Sequence, residues 1–417
     1  MKGDKALLIG TLHHTRERAR TEELLKELSA LCHNLEIDPL CELICNLRQI
    51  DRAFYIGSGK LEEVKGIVEE KGLSLVIFDC EISPAQQRNL EKALGVAVID
   101  RTEVILQVFN ERAQTKEAHL QVKLASMRYE LPRLKRKWTH LSRQAGGGKG
   151  YLKGMGEKQI EVDKRLIRDE IYALQKEITE VRKNRSSQRK RRERSAIPTF
   201  AIVGYTNAGK STLLNALCGS EVLAEDKLFA TLDTTTREFL LPSNQPVLLV
   251  DTVGFIRNIP HALVAAFKST LEEALYTNVL IHVIDSSATD VLDKIKAVHT
   301  VLKDLGRKDQ TMIYAFNKVD DPKSKKIVQG LRLQYAPNVL ISAKEKEGFE
   351  DLFSLMQDSV KKLRERMQLK IPQSAYALVA ELIDQGKLID KKYEENDILL
   401  EVDVPIYLIG KCMPYLV

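Results

Sequence analysis

The sequence predicts an α/β protein with a doubly wound sheet, an N-terminal parallel α/β domain, an antiparallel helical hairpin and a small C-terminal α/β domain. Early in the chain, short apolar runs alternate with amphipathic segments, and near residue 130 apolar residues repeat every three or four positions. Four later apolar runs each end in a polar motif. A chain of 417 residues is too long to form a single hydrophobic core. We therefore expect four domains, comprising residues 1–112, 113–194, 195–365 and 366–417.

The composition is that of a folded, soluble protein, with 44% hydrophobic and 29% charged residues. No apolar run reaches the roughly 18 residues that a membrane span needs, and the first residues turn polar too early for a signal peptide. The six cysteines are scattered, and no second pair or nearby histidine completes a zinc set with Cys41 and Cys45. We therefore expect reduced cysteines and a cytoplasmic monomer, part of it peripheral at a membrane.

The first domain reads as alternating strands and helices. Predicted strands are 6–10, 53–56, 75–78 and 97–99, and predicted helices are 21–32, 60–71 and 84–94. Ser58 and Ser83 are candidate caps of the last two helices. The segment 57–60 reads Gly-Ser-Gly-Lys, but Phe54 stands where a phosphate-binding loop would need its first glycine. We interpret it as a turn followed by a capped helix.

Two helices with matching apolar seams follow. The first seam comprises Leu120, Leu124, Met127, Leu131, Leu134, Trp138 and Leu141, and the second comprises Ile160, Ile167, Ile171, Leu174, Ile178 and Val181. Alternating spacings of four and three are typical of a coiled-coil seam. The two segments therefore predict an antiparallel hairpin, with Pro132 kinking the first helix.

The hairpin is strongly basic. From Lys123 to Arg194 there are 22 Lys and Arg against 9 Asp and Glu, a local charge of +13, so the remainder of the chain carries −7. The joining segment 142–156 holds six glycines together with Arg143, Lys149 and Lys153. These features favour contact with RNA phosphates. A flexible connector and a solvated charged surface are the alternatives, and residues 182–194 are either a linker or a basic helix end.

A nucleotide-binding loop opens the third domain. It consists of Gly204, Tyr205, Thr206, Asn207, Ala208, Gly209, Lys210 and Ser211. The apolar strand 199–203 precedes it and a long helix is predicted from Thr212, which is the context that a P-loop requires. We expect Lys210 to reach the β- and γ-phosphates of the nucleotide and Ser211 to ligate Mg²⁺.

Two further motifs complete the phosphate side. The strand 247–250 leads into Asp251, Thr252, Val253 and Gly254. We expect Asp251 to hold Mg²⁺ through water and the Gly254 N–H to sense the γ-phosphate. Between the motifs lie Phe229, Ala230, Thr231, Leu232 and Asp233, followed by a run of threonines. A threonine hydroxyl here would complete the Mg²⁺ shell only with the γ-phosphate present, which predicts a switch.

The remaining motifs select the base. The strand 312–316 leads into Asn317, Lys318, Val319 and Asp320, and the strand 338–341 leads into Ser342, Ala343 and Lys344. The Asp320 carboxylate can accept both N1–H and the 2-amino group of guanine, a donor pair that adenine lacks. The second segment is expected to back the base from its other side. The sequence therefore predicts a GTP-binding protein with Mg²⁺ as cofactor.

Phe255 stands where many GTPases keep a water-orienting glutamine. A phenyl ring cannot orient water, so we expect slow basal hydrolysis. A partner, a monovalent cation or another switch group would then organise the transition state.

These motifs resemble the HflX family of GTPases over nearly the whole chain. The resemblance includes segments 55–60, 141–144, 204–211, 228–233 and 251–255. Thr234 and the loop 148–157 differ from the residues that the family usually has there. It implies that Thr231 is the switch threonine and a Mg²⁺ ligand beside Ser211, so we assign catalysis to Lys210, Thr231 and Gly254. It also implies binding to the large ribosomal subunit and its RNA, and splitting of stalled or hibernating ribosomes under stress.

Two other functions fit the same motifs. A regulatory GTPase could grip RNA with the hairpin without remodelling ribosomes. A membrane-surface GTPase is disfavoured, because the hairpin seams leave no spare apolar face for insertion. His261, His282 and His299 belong to no motif, and we expect them in packing or surface roles.

Overall fold

The computed structural model describes residues 2–134, 152–194, 197–219, 228–229, 235–257, 274–307, 310–394, 396–405 and 408–417. The chain forms two compact units. The first contains residues 1–181 with 225–233 and 256–270, and the second contains residues 182–224, 234–255 and 271–417. The four-domain division stays a prediction.

A parallel sheet forms the beginning of the first unit. Its strands are β1 (Lys5–Leu12), β2 (Asp38–Asn46), β3 (Leu75–Phe78) and β4 (Ala97–Asp100). They lie in the order β2-β1-β3-β4, and every pair is parallel. The accompanying helices are α1 (Arg18–Asn34), α2 (Ser58–Lys71), α3 (Pro84–Leu94) and α4 (Arg101–Arg112). The predicted parallel α/β sheet is confirmed.

Two local predictions in this sheet are wrong. Residues 53–56 form a turn rather than a strand, because the Asp51 carboxylate accepts hydrogen bonds from the Ala53 and Phe54 amides, each at 2.7 Å. The strand between α1 and α2 is β2 instead. Gly57, not Ser58, is the N-cap of α2. Ser83, by contrast, forms the predicted cap of α3 together with Gln86.

The helical hairpin contains α5 (Lys116–Glu130) and α6 (Leu152–Arg194). The helix changes to a 3₁₀ turn at Leu131–Arg133, where Pro132 was expected to kink it. A buried cluster joins the two helices and comprises Leu124, Leu174 and Ile178, with Leu120, Met127 and Ile171 packed against it. These contacts confirm the predicted pairing of the two seams over this part of the hairpin.

The long helix α6 extends beyond its predicted limits at both ends. It begins at Leu152, inside the glycine-rich segment that was predicted as a loop to residue 156. Helix-favouring neighbours outweigh the cost of about 1 kcal/mol for each helical glycine. It continues to Arg194, so the basic run at 182–194 is a helix end. Arg143 and Lys149 lie outside the described residues, as does the side chain of Lys153.

A six-stranded sheet organises the second unit. Its strands are β5 (Thr199–Gly204), β6 (Thr235–Leu240), β7 (Pro246–Asp251), β8 (Val279–Asp285), β9 (Thr311–Asn317) and β10 (Asn338–Leu340). The order is β10-β9-β8-β5-β7-β6, with only β6 antiparallel among these strands. The helices are α7 (Lys210–Cys218), α8 (Val291–Asp304), α9 (Ser324–Leu331) and α10 (Phe349–Lys361). This is the predicted doubly wound arrangement.

The helix after the P-loop differs from its prediction. α7 begins at Lys210 rather than Thr212 and has only nine residues, so it is not long. It ends because Gly219 adopts a left-handed conformation with φ of 61°.

A small antiparallel sheet follows in the same unit. It contains β11 (Arg364–Pro372), β12 (Lys387–Glu394) and β13 (Asp397–Pro405), in the order β11-β13-β12. Helix α11 (Tyr376–Gln385) buries Val379 and Leu382, and a short α12 (Ile409–Cys412) follows β13. The predicted C-terminal α/β extension is confirmed. Within the part of the chain that the structure describes, no helix is both long enough and apolar enough to cross a bilayer.

Candidate nucleotide-binding site

The P-loop connects the end of β5 to the start of α7. Gly204 is the last residue of β5, and a Cβ atom there would lie 2.3 Å from the carbonyl oxygen of Val283. Gly209 caps α7 with φ of 91°, a conformation that glycine adopts without strain. Both glycines are therefore required by the backbone. The loop delivers its amides to the N-terminus of a helix, which is an anion-binding arrangement.

Lys210 is buried at the first position of α7. Its Nζ donates a hydrogen bond to the carbonyl oxygen of Tyr205 at 2.9 Å, across the loop. Burial lowers the pKa of Lys210 to about 8, and the nearby Asp251 carboxylate partly opposes this shift. The ammonium is thus held under the loop, where phosphate oxygens would give it the counter-charge that its surroundings supply only in part.

A hydroxyl and a carboxylate meet beside the loop. Ser211 Oγ donates a hydrogen bond to Oδ2 of Asp251 at 3.0 Å, and Asp251 is fully buried at the end of β7. Two hard oxygen donors, one at the start of α7 and one at the end of β7, suit Mg²⁺, which prefers carboxylate, hydroxyl and water oxygens. Thr231, the third expected ligand, lies outside the described residues, together with Ala230, Leu232 and Asp233.

The segment after β7 is attached to the P-loop by its backbone. The Thr206 N–H donates to the carbonyl oxygen of Phe255 at 2.7 Å, and the Phe255 N–H donates to that of Gly204 at 3.1 Å. A Cβ atom on Gly254 would lie 2.8 Å from Thr206 Cγ2 and 3.0 Å from Lys210 Nζ. The structure therefore places Gly254 directly against the P-loop lysine, where only a glycine fits.

The neighbouring side chains of this segment are structural. The Phe255 ring is 1% exposed, so it packs in the core. Thr252 Oγ1 donates a hydrogen bond to the carbonyl oxygen of Ile202 at 2.8 Å, and Val253 is buried. These side chains hold the segment against β5.

Asn317 joins three motifs. Its Nδ2 donates to the carbonyl oxygen of Ala208 in the P-loop at 2.8 Å, and its Oδ1 accepts from the Ala343 N–H at 2.9 Å. The sequence grouped Asn317 with the base-binding residues but did not predict that it would be the physical link between the loops.

The other residues of the base-binding segments differ in exposure. Asp320 is exposed, so its carboxylate is accessible to a ligand, whereas Ser342 is fully buried. Ser342 Oγ accepts from the Glu345 N–H at 3.2 Å and shapes its own turn. The Lys344 side chain is 81% exposed and pairs with Glu345 at 3.6 Å, so it is not part of the hydrogen-bond network around Asn317.

Phe229 is the part of the switch segment that the structure describes, together with Leu228. Its ring is 2% exposed and meets Phe109 edge-on, with centroids 4.5 Å apart. Asn34 Nδ2 donates a hydrogen bond to the carbonyl oxygen of Leu228 at 2.9 Å. These contacts, all within the first unit, give Phe229 a packing role.

Sequence reasoning missed Asp285, the last residue of β8. Its Oδ2 accepts a hydrogen bond from Lys318 Nζ at 2.7 Å. Its position in the sequence could have identified it. Asp285 directly follows the largely apolar residues 279–284, just as Asp251 follows the apolar residues 247–250. His282 on the same strand is buried, as the packing interpretation expected, whereas His261 lies outside the described residues.

Comparison with known families covers most of the chain. Residues 22–110 match the family described as "GTP-binding GTPase N-terminal". Residues 112–192 match "GTP-binding GTPase Middle Region", and residues 199–318 match "50S ribosome-binding GTPase".

Curated relatives match over most of the chain. The GTPase HflX of Chlamydia pneumoniae is 44% identical over 99% of this chain and 88% of the relative. The GTPase HflX of Escherichia coli (strain K12) is 37% identical over 97% of this chain and 94% of the relative. A crystal structure of a GTP-binding protein from Sulfolobus solfataricus in complex with GDP is 26% identical, covering 87% of this chain and 100% of that chain with a TM-score of 0.45. On the identity and coverage of these relatives, the chain belongs to the HflX family of GTPases.

Proposed function

We propose that this chain is a Mg²⁺-dependent GTP switch that binds the large ribosomal subunit and splits stalled or hibernating ribosomes under stress. The observation that carries the proposal is the bridge made by Asn317, which ties the guanine-selecting loop to the P-loop. A basic helical hairpin in the same chain supplies a surface for ribosomal RNA. The match of residues 199–318 to "50S ribosome-binding GTPase" supports this choice of partner.

The proposed nucleotide contacts follow the geometry of the loops. The P-loop amides of residues 204–211 surround the phosphates, and the Lys210 ammonium bonds the β- and γ-phosphate oxygens. Asp320 accepts from the guanine ring, while the loops at 317–319 and 342–344 enclose it. The Gly254 N–H bonds the γ-phosphate, since its backbone lies beside Lys210.

The metal-binding residues are Ser211, Thr231 and Asp251. When bound, Mg²⁺ neutralises charge that develops on the phosphate oxygens during transfer. Ser211 would offer its hydroxyl directly and Asp251 would bind through water, in place of the 3.0 Å hydrogen bond between the two side chains. Thr231 joins them while the γ-phosphate is present, which is how the segment 229–233 senses the nucleotide.

Slow basal hydrolysis follows from the placement of Phe255. Its ring is buried and has no polar group that could orient water, so the transition state depends on groups supplied by the ribosome. In this proposal the protein is a monomer in the cytoplasm, and a fraction of the molecules is peripherally associated with a membrane. Arg143, Lys149 and Lys153 contact ribosomal RNA near the tip of the hairpin.

Light scattering of intact ribosomes tests the proposal. We expect scattering to fall with GTP or a non-hydrolysable analogue and to stay constant with GDP. Co-sedimentation with isolated large subunits should show the same nucleotide dependence. Nucleotide-dependent binding without loss of scattering would instead support the regulatory RNA-binding GTPase. Retention on anionic vesicles without ribosome binding would support the membrane-surface alternative.

Replacement of Lys153 and the glycines at 146–148 tests the tip of the hairpin separately. Splitting should weaken while GDP affinity stays at the wild-type value. Undiminished splitting would exclude a role for this segment in RNA contact.

A further inference from the structure

An ion pair joins the guanine-selecting loop to Asp285, which lies outside the sequence motifs. Lys318 Nζ is 2.7 Å from Oδ2 of Asp285. Asp285 ends β8 and lies opposite Asn317 in the register of β8 and β9. The adjacent Ser286 N–H donates to the carbonyl oxygen of Asn317 at 3.0 Å. Main chain and side chain therefore both fasten the start of the loop to the end of β8.

The Asp285 carboxylate is held in a fixed orientation. Its Oδ1 accepts from the Ser287 N–H at 2.9 Å and from Ser287 Oγ at 2.6 Å, which leaves Oδ2 for Lys318. Burial would raise the pKa of Asp285, but the Lys318 ammonium and the Ser287 hydrogen bonds lower it below its ordinary value. The group is thus an oriented anion at neutral pH.

Lys318 needs such an anchor. Its backbone has φ of 63°, a left-handed conformation that is unfavourable for a residue with a Cβ atom. Residues remain in this region only when surrounding contacts hold them there. The Lys318 side chain is 33% exposed while its ammonium is bound to Asp285, so part of this long side chain remains accessible to a ligand.

We propose that Asp285 is a positioning residue for guanine recognition, which fixes Lys318 so that its aliphatic stem forms one wall of the base site. This inference rests on the proposed role of residues 317–320 in binding the base. Asp285 acts on the base side of the nucleotide and not on the phosphates. Its loss therefore weakens GDP and GTP equally and leaves the chemical step unchanged.

Asp285→Asn tests the proposal, because it keeps the shape of the side chain and removes its charge. We expect the Kd of fluorescent GDP and of a fluorescent GTP analogue each to rise roughly tenfold. The kcat at saturating GTP should stay within about twofold of wild type, since only uniform binding is lost. Asp285→Glu, which keeps the charge, should recover part of the affinity. The matched control is Asp358→Asn, which breaks the exposed pair with Lys361 at 2.9 Å and should change neither constant.

A double-mutant cycle distinguishes positioning from a general loss of structure. Lys318→Met should raise the Kd in the wild-type background and have a smaller effect in Asp285→Asn, because the ammonium has then lost its anchor. Additive effects, or an unchanged Kd in Asp285→Asn, would overturn the role of Asp285. Failure of the wild-type protein to bind guanine nucleotides would overturn the proposed function itself, and that titration comes first.

Discussion

At the scale of single residues, burial shifts the pKa of two groups in the second unit. Lys210 and His282 are both buried in the second unit, and burial lowers the pKa of each. They differ in what ligand binding supplies. Phosphate would compensate the Lys210 ammonium, whereas His282 packs against the rings of His299 and Tyr314. Each residue therefore makes its own pH-dependent prediction.

GDP affinity should decline as pH rises above about 8. The pKa of Lys210 is about 8 in the free protein, and a bound phosphate stabilises the protonated form, so binding takes up a proton above this pH. The expected loss approaches about tenfold per pH unit. Titrations of GDP between pH 7 and 9 measure it, with guanosine, which has no phosphate, as the control ligand. A flat GDP profile, or an equal slope for guanosine, would contradict the assignment.

Acid should destabilise the second unit through His282. Burial lowers its pKa to about 3, and His299, Lys210 and Arg307 act in the same direction. Because the folded-state pKa lies below the unfolded value of about 6.5, stability is full above that pH and is lost as pH falls through the window between them. At pH 5 the free energy of unfolding is about 2 kcal/mol lower than at a pH above 6.5.

His282→Phe removes this titration. Its thermal midpoint should change less than that of wild type between pH 7 and pH 5, whatever its stability at pH 7. The exposed His119 provides the control, since His119→Gln should keep the wild-type dependence. The same pH dependence in His282→Phe and in wild type would show that another group is responsible.

At the scale of elements, the hairpin depends on a short seam. Leu174 and Ile178 on α6 pack with Leu124 on α5, and the Lys123–Glu170 ion pair at 2.6 Å lies on partly exposed side chains. Such exposed pairs contribute little. The apolar contacts therefore hold the two helices together, and among the described residues the basic side chains of Arg165, Arg168 and Lys176 are exposed.

Leu174→Ala should loosen the hairpin by about 2 to 4 kcal/mol, because it leaves a cavity in this seam. The matched control is Tyr172→Ala, two residues away, where the side chain is 73% exposed and the expected change is within about 0.5 kcal/mol. Hydrogen–deuterium exchange of the α5 and α6 amides reports this local opening. Equal protection in the two variants would mean that the seam is not what stabilises the hairpin.

At the scale of the whole molecule, the charge is strongly uneven. The segment from Lys123 to Arg194 carries +13 in a chain whose remainder carries −7. A polyanion should therefore be bound by this segment, with release of counterions from the nucleic acid. The rest of the chain disfavours non-specific attachment elsewhere.

Binding to the large subunit should weaken at least about a hundredfold between about 50 and 200 mM salt. Arg168→Glu on the exposed face of α6 should lower the affinity and reduce the slope of log affinity against log salt concentration. Lys325→Glu on α9 is an equal change of charge and should change neither quantity. Sedimentation at several salt concentrations measures both quantities. A slope that is the same for the two variants would place the contact outside the hairpin.

The sequence by itself determined the features that depend on local signals. Three such signals are each visible within a short stretch of sequence. They are the spacing of Gly204, Gly209 and Lys210, the polar motif after each apolar strand, and the periodicity of the hairpin seams. They were sufficient for the doubly wound sheet, the parallel N-terminal sheet, the paired helices and the family. The Ser83 cap followed from the same kind of signal.

The tertiary structure decided what depends on residues far apart in sequence. It made a strand of Asp38–Asn46, whose side chains are half-buried and mixed in polarity, because β1 supplies its hydrogen bonds. It brought Asp285 to Lys318, 33 residues away, and Asn317 to Ala208, 109 residues away. No local pattern encodes such pairings, because they arise only when parallel strands align their carboxyl ends at one edge of the sheet.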